Sequence, residues 1–183
     1  MPTPSQTTPP LGWKAGDFEL EGTDAKRHRL ADLRGQRGTL VMFICNHCPY
    51  VQAVLDDIIA DARELEAAGV TSVAIMPNDV RAYPADSFDN MKRLAEEKRF
   101  PFPYLIDESQ AVAKAYDAAC TPDFYGLAAD LSLQYRGRIY DVRNRQRVPG
   151  SRRELYEAML QIARTGKGPA DQTPSMGCSI KWK

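Results

Sequence analysis

Two cysteines stand where the pattern of the chain changes. Thr39 to Ile44 is a continuous apolar run, too short for a helix and rich in strand formers, and it predicts a buried strand. Cys45-Asn46-His47-Cys48-Pro49 follows. Val51, Val54, Leu55, Ile58, Ile59, Ala62 and Leu65 then recur at spacings of three and four, which predicts an amphipathic helix that Gly69 stops. Val70 to Met76 is a second buried strand. Strand, helix and strand at this crossover length form a right-handed, parallel βαβ unit. A pair of thiols at the strand-to-helix turn of such a unit confines the chain to α/β folds. It also places two sulfurs where a disulfide can form and break.

The flanking segments extend that sheet. Asp17 to Leu20 and Arg27 to Leu30 are expected to pair as a hairpin across Glu21 to Asp24. A helix is expected over 86–98, with Phe88, Met91, Leu94 and Ala95 inward, and Phe100 to Pro103 ends it. Tyr104 to Ile106 is a short strand. Ser109 to Tyr116 is a helix with Ser109 as its N-cap. Asp123 to Ala128 and Leu131 to Tyr140 predict an antiparallel hairpin turning near Ala129 and Asp130. Ser151 to Arg164 is a closing helix, with Ser151 and Glu154 spaced as a capping box. The sum is a mixed central sheet with helices on both faces and an N-terminal β-hairpin extension. Residues 1–16 form an extended lead-in, 17–164 the domain, and 165–183 a tail without clear period that packs on it.

Bulk properties remove several classes of function. The 183 residues carry 24 basic and 24 acidic side chains, so no charge excess favours a nucleic acid or a membrane surface. No window approaches the roughly 18 apolar residues of a membrane span. The N-terminus has neither the basic nor the apolar region of a secretory signal, and the expectation is a cytoplasmic protein. Four cysteines are too few for a secreted disulfide scaffold. In a reducing compartment a C-x-x-C pair points to redox or metal chemistry.

Disulfide exchange runs through the thiolate, so the site has to lower a thiol pKa. Cys45 is expected at the helix N-terminus, where free N–H groups favour a negative charge. His47 can donate a hydrogen bond or carry a positive charge. Cys48 can donate its S–H to Cys45. The expected division of labour is therefore attack by Cys45, resolution by Cys48 and tuning by His47, with Pro49 tolerated in the first helical turn. Zinc would need two more ligands from His47, His28, Cys120 and Cys178, and these form no second pair at zinc-knuckle spacing, so no metal is expected. Pro49 after the second cysteine rules out c-type haem attachment. No bound cofactor is required.

The strand-CxxC-helix unit, with Thr121-Pro122 far downstream at a strand start, resembles the thioredoxin fold. That resemblance implies a cis Pro122 lying against the CxxC and a substrate-docking role for Thr121 and Pro122. Phe43 to Val51, Phe100 to Tyr104, Cys120 to Phe124, Tyr135 to Ile139 and Gly177 to Lys183 are together similar to the peroxiredoxin-like group of the AhpC/TSA (alkyl hydroperoxide reductase/thiol-specific antioxidant) superfamily. In that superfamily's peroxidases the attacking cysteine takes the second CxxC position, with threonine three residues before it and proline seven before. Here those two places hold Cys45 and Val41. The departure favours thiol–disulfide exchange, with thiol peroxidase as the alternative and a metal- or partner-binding module behind both.

The resemblance also implies protein or small-molecule disulfides as substrates and a thioredoxin-like or glutathione redox partner. Cys120 and Cys178 are possible additional redox thiols, although Cys120 equally suits a small buried residue and Cys178 a tail anchor. Asn78 and Asp79 leave a strand end where active-site rims form in open α/β sheets. The arginines at 136, 138, 143, 145, 147, 152 and 153 are expected to be solvated. The C-x-H-C spacing around His47 is similar to that of periplasmic disulfide oxidases, whose reduced form is stabilised. Titration of the Cys45–Cys48 pair against glutathione is therefore expected to give a potential more oxidising than thioredoxin's, and a strongly reducing value would refute this.

Overall fold

The apolar run that leads into Cys45 is buried along its whole length. The computed structural model describes residues 2–183 and shows why. In chain order the elements are β1 (Pro2–Pro4), β2 (Glu19–Gly22), β3 (Arg27–Arg29), α1 (Leu30–Leu33), β4 (Gly38–Phe43), α2 (Pro49–Gln52) and α3 (Leu55–Glu66). Then come β5 (Val70–Met76), a 3-10 turn (Pro84–Asp86), α4 (Phe88–Glu97), β6 (Tyr104–Ile106), α5 (Ala111–Ala115), β7 (Cys120–Thr121) and β8 (Asp123–Leu127). The chain closes with β9 (Leu133–Arg136), β10 (Val142–Arg143), β11 (Gln146–Arg147), α6 (Glu154–Thr165) and β12 (Met176–Ser179).

Seven strands form one sheet in the order β3-β2-β6-β5-β4-β8-β9. β4 is parallel to β5, and β5 to β6, while β8 runs antiparallel to β4 on its other edge. Side chains alternate across β4. Leu40, Met42 and Ile44 join the core that holds Ile58 and Leu65 of α3, Met91 of α4 and Met159 of α6. Val41 and Phe43 face the opposite core, with Leu30 of α1 and Val112 and Ala113 of α5. This is a thioredoxin-like α/β fold with helices on both faces. No helix among the described residues is long and apolar enough to cross a membrane.

Several local features depart from the sequence expectation. The helix after Cys48 is two pieces, α2 and α3, with Val54 outside helical geometry between them (φ −120°, ψ 0°). Val51, Val54, Leu55 and Ile58 reach the same core from both pieces, so the apolar spacing carries no trace of the break. Gln110, not Ser109, takes the N-cap position of α5, in a left-handed conformation, and Ser109 Oγ accepts from the Ala111 N–H at 3.2 Å. The Ser151–Glu154 capping box does not form. Ser151 Oγ accepts from Arg147, and Glu154 is drawn to the Arg138 guanidinium at 2.8 Å.

The terminal segments build a second sheet, in the order β1-β12-β7. The N-terminal lead-in is extended, and its first residues add β1 to the outer edge of β12. The 165–183 tail, without period in the sequence, supplies β12.

Arg136 corrects the expectation of a solvated basic stretch. Its guanidinium is buried, 3.0 Å from the fully buried Asp123 carboxylate and 4.5 Å above the Tyr125 ring. It also donates to the Asp117 carbonyl at 2.9 Å. Burial pushes the Asp123 carboxyl up, and Arg136 opposes that shift. Arg136→Met is therefore expected to cost about 3–5 kcal/mol, because it leaves a buried acid without its counter-charge. Denaturant unfolding checks this, and the double variant Arg136→Met/Asp123→Asn is expected to recover part of the loss.

Candidate active site

β4 ends at Phe43, and the chain turns through Ile44 to Cys48 before α2 begins. Cys48, not Cys45, is the N-cap of α2, because Pro49 takes the first helical position, where its missing N–H costs nothing. Cys45 remains at the strand end. Neither sulfur stands open: Cys45 is 1% exposed and Cys48 0%. The expectation of Cys45 at the helix N-terminus is corrected: that place belongs to Cys48.

The two thiols differ sharply in their surroundings. Cys48 Sγ lies 2.8 Å from Cys178 Sγ on β12 and 3.2 Å from the Thr121 carbonyl. The Cys45 and Cys178 thiols and the backbone N–H groups of Val51 and Cys178 all face it. Those donors hold the Cys48 thiol well below the ordinary range, against the cost of burial. Cys45 is driven the other way. Its bond to Cys48, its burial and the nearby Asp86 carboxylate all favour the protonated form, and only the Thr121 hydroxyl, 3.4 Å away, favours the anion. A negative charge on the pair is therefore favoured on Cys48 over Cys45. Burial and the Cys48 charge push the Cys178 thiol up.

Asp86 was not singled out by its place in the sequence, where it opens the expected 86–98 helix. It is fully buried beneath the Cys45–Cys48 turn. It accepts from the Asn46 N–H at 2.8 Å, the His47 N–H at 3.3 Å and the Asn78 side-chain amide at 2.9 Å. His47 Nδ1 approaches Oδ2, the oxygen that accepts from Asn78, to 2.6 Å, out of line for a directed hydrogen bond. The His47 ring also lies parallel to Tyr83, with centroids 6.0 Å apart. Tyr104 donates to the Asn46 side chain at 2.9 Å. Asn46, His47, Asn78 and Tyr104 thus fix the turn around one buried carboxylate. No spacing in the sequence connects Asp86 to Cys45, and only the tertiary fold reveals it.

Thr121 meets the pair through its hydroxyl and its carbonyl, and the peptide between it and Pro122 is cis. Cys120 is close in the chain, but its thiol turns to the Pro122 carbonyl, 3.7 Å away, and burial pushes its pKa up. Asn78 and Asp79 do lie at the rim, where they hold the tail: Asn78 Oδ1 accepts from the Lys181 N–H and the Asp79 N–H donates to the Lys181 carbonyl. His28 is remote, paired with Asp24 on the hairpin. A cleft of about 830 Å³ opens beside the site between Tyr50, Pro122, Ile139, Tyr140 and Met176, with Arg138 on its wall.

Cys45, His47 and Asp86 place three possible metal ligands within 4.8 Å of one another. Two ligands on a tetrahedral zinc stand about 3.4 Å apart at bond lengths of about 2.1 Å. The 2.6 Å approach of His47 to Asp86 is tighter than that, so the trio as it stands is arranged for direct contact.

The site is thus a buried dithiol at the strand-to-helix turn of a thioredoxin-like fold. The AhpC/TSA family model matches residues 11–142, and the chain belongs to the AhpC/TSA family. An uncharacterized conserved protein from Geobacillus kaustophilus is 45% identical, with a TM-score of 0.94 over 100% of this chain and 97% of its own. A hypothetical protein from Sinorhizobium meliloti 1021 is 34% identical, with a TM-score of 0.91 over 99% of this chain and 98% of its own. Peroxidoxin BcpB from Mycobacterium tuberculosis shares the fold at 17% identity, with a TM-score of 0.63 over 84% of this chain and 96% of its own. No curated protein matches the chain.

Thiolate absorbance against pH tests the charge assignment. The wild-type protein is expected to show one thiolate well below the ordinary thiol range, lost in Cys48→Ser. Cys45→Ala removes a donor to that anion and is expected to raise the step by about one to two pH units, the equivalent of a charged hydrogen bond of about 1.5–3 kcal/mol.

Proposed function

We propose that the protein is a thiol–disulfide oxidoreductase working through the Cys45–Cys48 pair. The observation that carries this is the grouping of the thiols: the Cys48 sulfur lies 2.8 Å from that of Cys178 and beside the Cys45 thiol, in surroundings that lower its pKa while those of Cys45 raise it. Attack is assigned to Cys48, not to Cys45 as the sequence suggested, because the thiolate is the attacking species. The Cys48 thiolate forms a bond to one sulfur of a substrate disulfide, and the other sulfur leaves as a thiolate. Cys45 then attacks Cys48, its proton passes to the departing thiol, and a Cys45–Cys48 disulfide remains. The substrate gains two electrons and the pair loses two. A thioredoxin-like protein or glutathione restores the dithiol. Thr121 and Pro122 form the edge on which substrate docks. His47, wedged between Asp86 and Tyr83, positions the turn that carries both thiols.

A second reading is peroxide reduction, supported by the near-complete burial of the thiolate, which a small oxidant can reach more easily than a protein disulfide can. In it the Cys48 thiolate takes an oxygen from the peroxide, an alcohol or water leaves, and a neighbouring thiol condenses with the sulfenic acid to a disulfide and water. Reduction of an insulin disulfide and consumption of a peroxide, measured side by side with one reductant, separate the two. Turnover on the disulfide is expected in the wild-type protein, with Cys48→Ser falling to background. Activity retained in Cys48→Ser would overturn the mechanism.

A further inference from the structure

The edge assigned above to substrate is already occupied. β12 pairs antiparallel with β7, Cys178 opposite Thr121 and Ser179 opposite Cys120. An extended peptide adding to this edge would follow the same path, since strand addition fixes backbone position through main-chain hydrogen bonds. The approach is unusually close. A Cβ at Gly177 would fall 1.9 Å from the Thr121 carbonyl oxygen, so only glycine fits there. Around it the strand is tied at both ends. Ser175 donates its hydroxyl to the Pro122 carbonyl at 2.8 Å, and the Lys181 N–H donates to Asn78 at 2.9 Å. The result is a Cys178 sulfur 2.8 Å from Cys48, closer than two non-bonded sulfurs ordinarily come. Cys178 is also half-buried where Cys45 and Cys48 are enclosed.

We propose that Cys178, in place of Cys45, is the thiol that resolves the Cys48 mixed disulfide, and that β12 lies in the place of an extended substrate strand. The proposal rests on the thiol–disulfide reading above: it keeps Cys48 as the attacking thiol and replaces the resolving step. External substrate gains Cys48 when β12 leaves β7, and Cys48 attacks it as described. When β12 returns, the Cys178 sulfur bonds to Cys48 and the substrate sulfur leaves, taking the Cys178 proton. Cys48–S–S–R and Cys178–SH become Cys48–S–S–Cys178 and RSH, with no electrons unaccounted for. The disulfide now lies on the half-buried sulfur, where a reducing dithiol or glutathione can attack it. Cys45, enclosed beneath the turn beside Asp86, offers a reductant no comparable access. The occupied edge also defines the substrate class: a disulfide in an extended segment whose cysteine follows glycine.

Reduced full-length protein treated with one equivalent of oxidised glutathione, alkylated at acid pH and digested, provides the test. A peptide linking Cys48 to Cys178 is expected in the wild-type protein. Cys178→Ser is expected to keep glutathione on Cys48 for longer and to slow turnover at least tenfold. Gly177→Ala is expected to lift β12, lower the yield of the linked peptide and speed alkylation of Cys48 in the reduced protein. A wild-type digest holding only a Cys45–Cys48 link overturns the proposal, as does unchanged turnover in Cys178→Ser. If neither protein reduces a disulfide yet the Cys48–Cys178 link forms, the thiol–disulfide reading fails while the pairing of the two sulfurs stands.

Discussion

The structure around the site depends on keeping a negative sulfur in a closed interior. An enclosed anion costs several kcal/mol unless donors converge on it. Cys48 receives those donors from Cys45 at the strand end, Val51 in the next turn and Cys178 near the C-terminus. Cys45 and Val51 flank Cys48 in the same turn of chain, and Cys178 comes from 130 residues away. β4 positions Cys45, α2 positions Val51, and Cys178 arrives only because β7 offers β12 an edge. The thiolate and the terminal sheet therefore support each other. Withdraw β12, and Cys48 loses a thiol donor, a backbone donor and its cover together.

Asp86 adds a second buried charge beside the first and makes the pair asymmetric. Two anions within one enclosed turn repel strongly. Proximity to Cys48 and burial favour the protonated form of Cys45 and the carboxylate adds to them, while the groups around Cys48 favour its anion. The carboxylate is itself held by two backbone N–H groups of the turn and the Asn78 amide, so its charge is tied to the shape of the turn. Geometry and charge distribution are thus set by the same few hydrogen bonds.

The parts of this fold written locally were legible in the sequence. β4, β5 and the β2–β3 hairpin follow from short apolar runs, alternation and turn residues, and they assembled as expected. The parts written by tertiary contact were not. Met176 to Ser179 has no alternation to reveal a strand, because its pairing rests on a glycine fitting against Thr121. Arg136 sits in a run of arginines that mostly face water, and only the buried Asp123 distinguishes it. The break at Val54 preserves the apolar stripe and so hides itself. At the site, the two thiols and Thr121-Pro122 were readable as a motif, but the identity of the charged sulfur depends on Asp86 and Cys178, 38 and 130 residues from Cys48.

An exposed strand edge is a hazard in any sheet, since unpaired N–H and C=O groups recruit other chains. β7 would present such an edge beside a reactive sulfur. Covering it with the chain's own tail closes the edge, and a tail carrying only inert side chains would close the site as well. Placing Cys178 opposite Thr121 separates these two effects. The strand that covers the edge also brings the Cys178 thiol to the sulfur it hides. Gly177 is what permits both, since any side chain there would hold the strand off the Thr121 carbonyl and Cys178 away from Cys48.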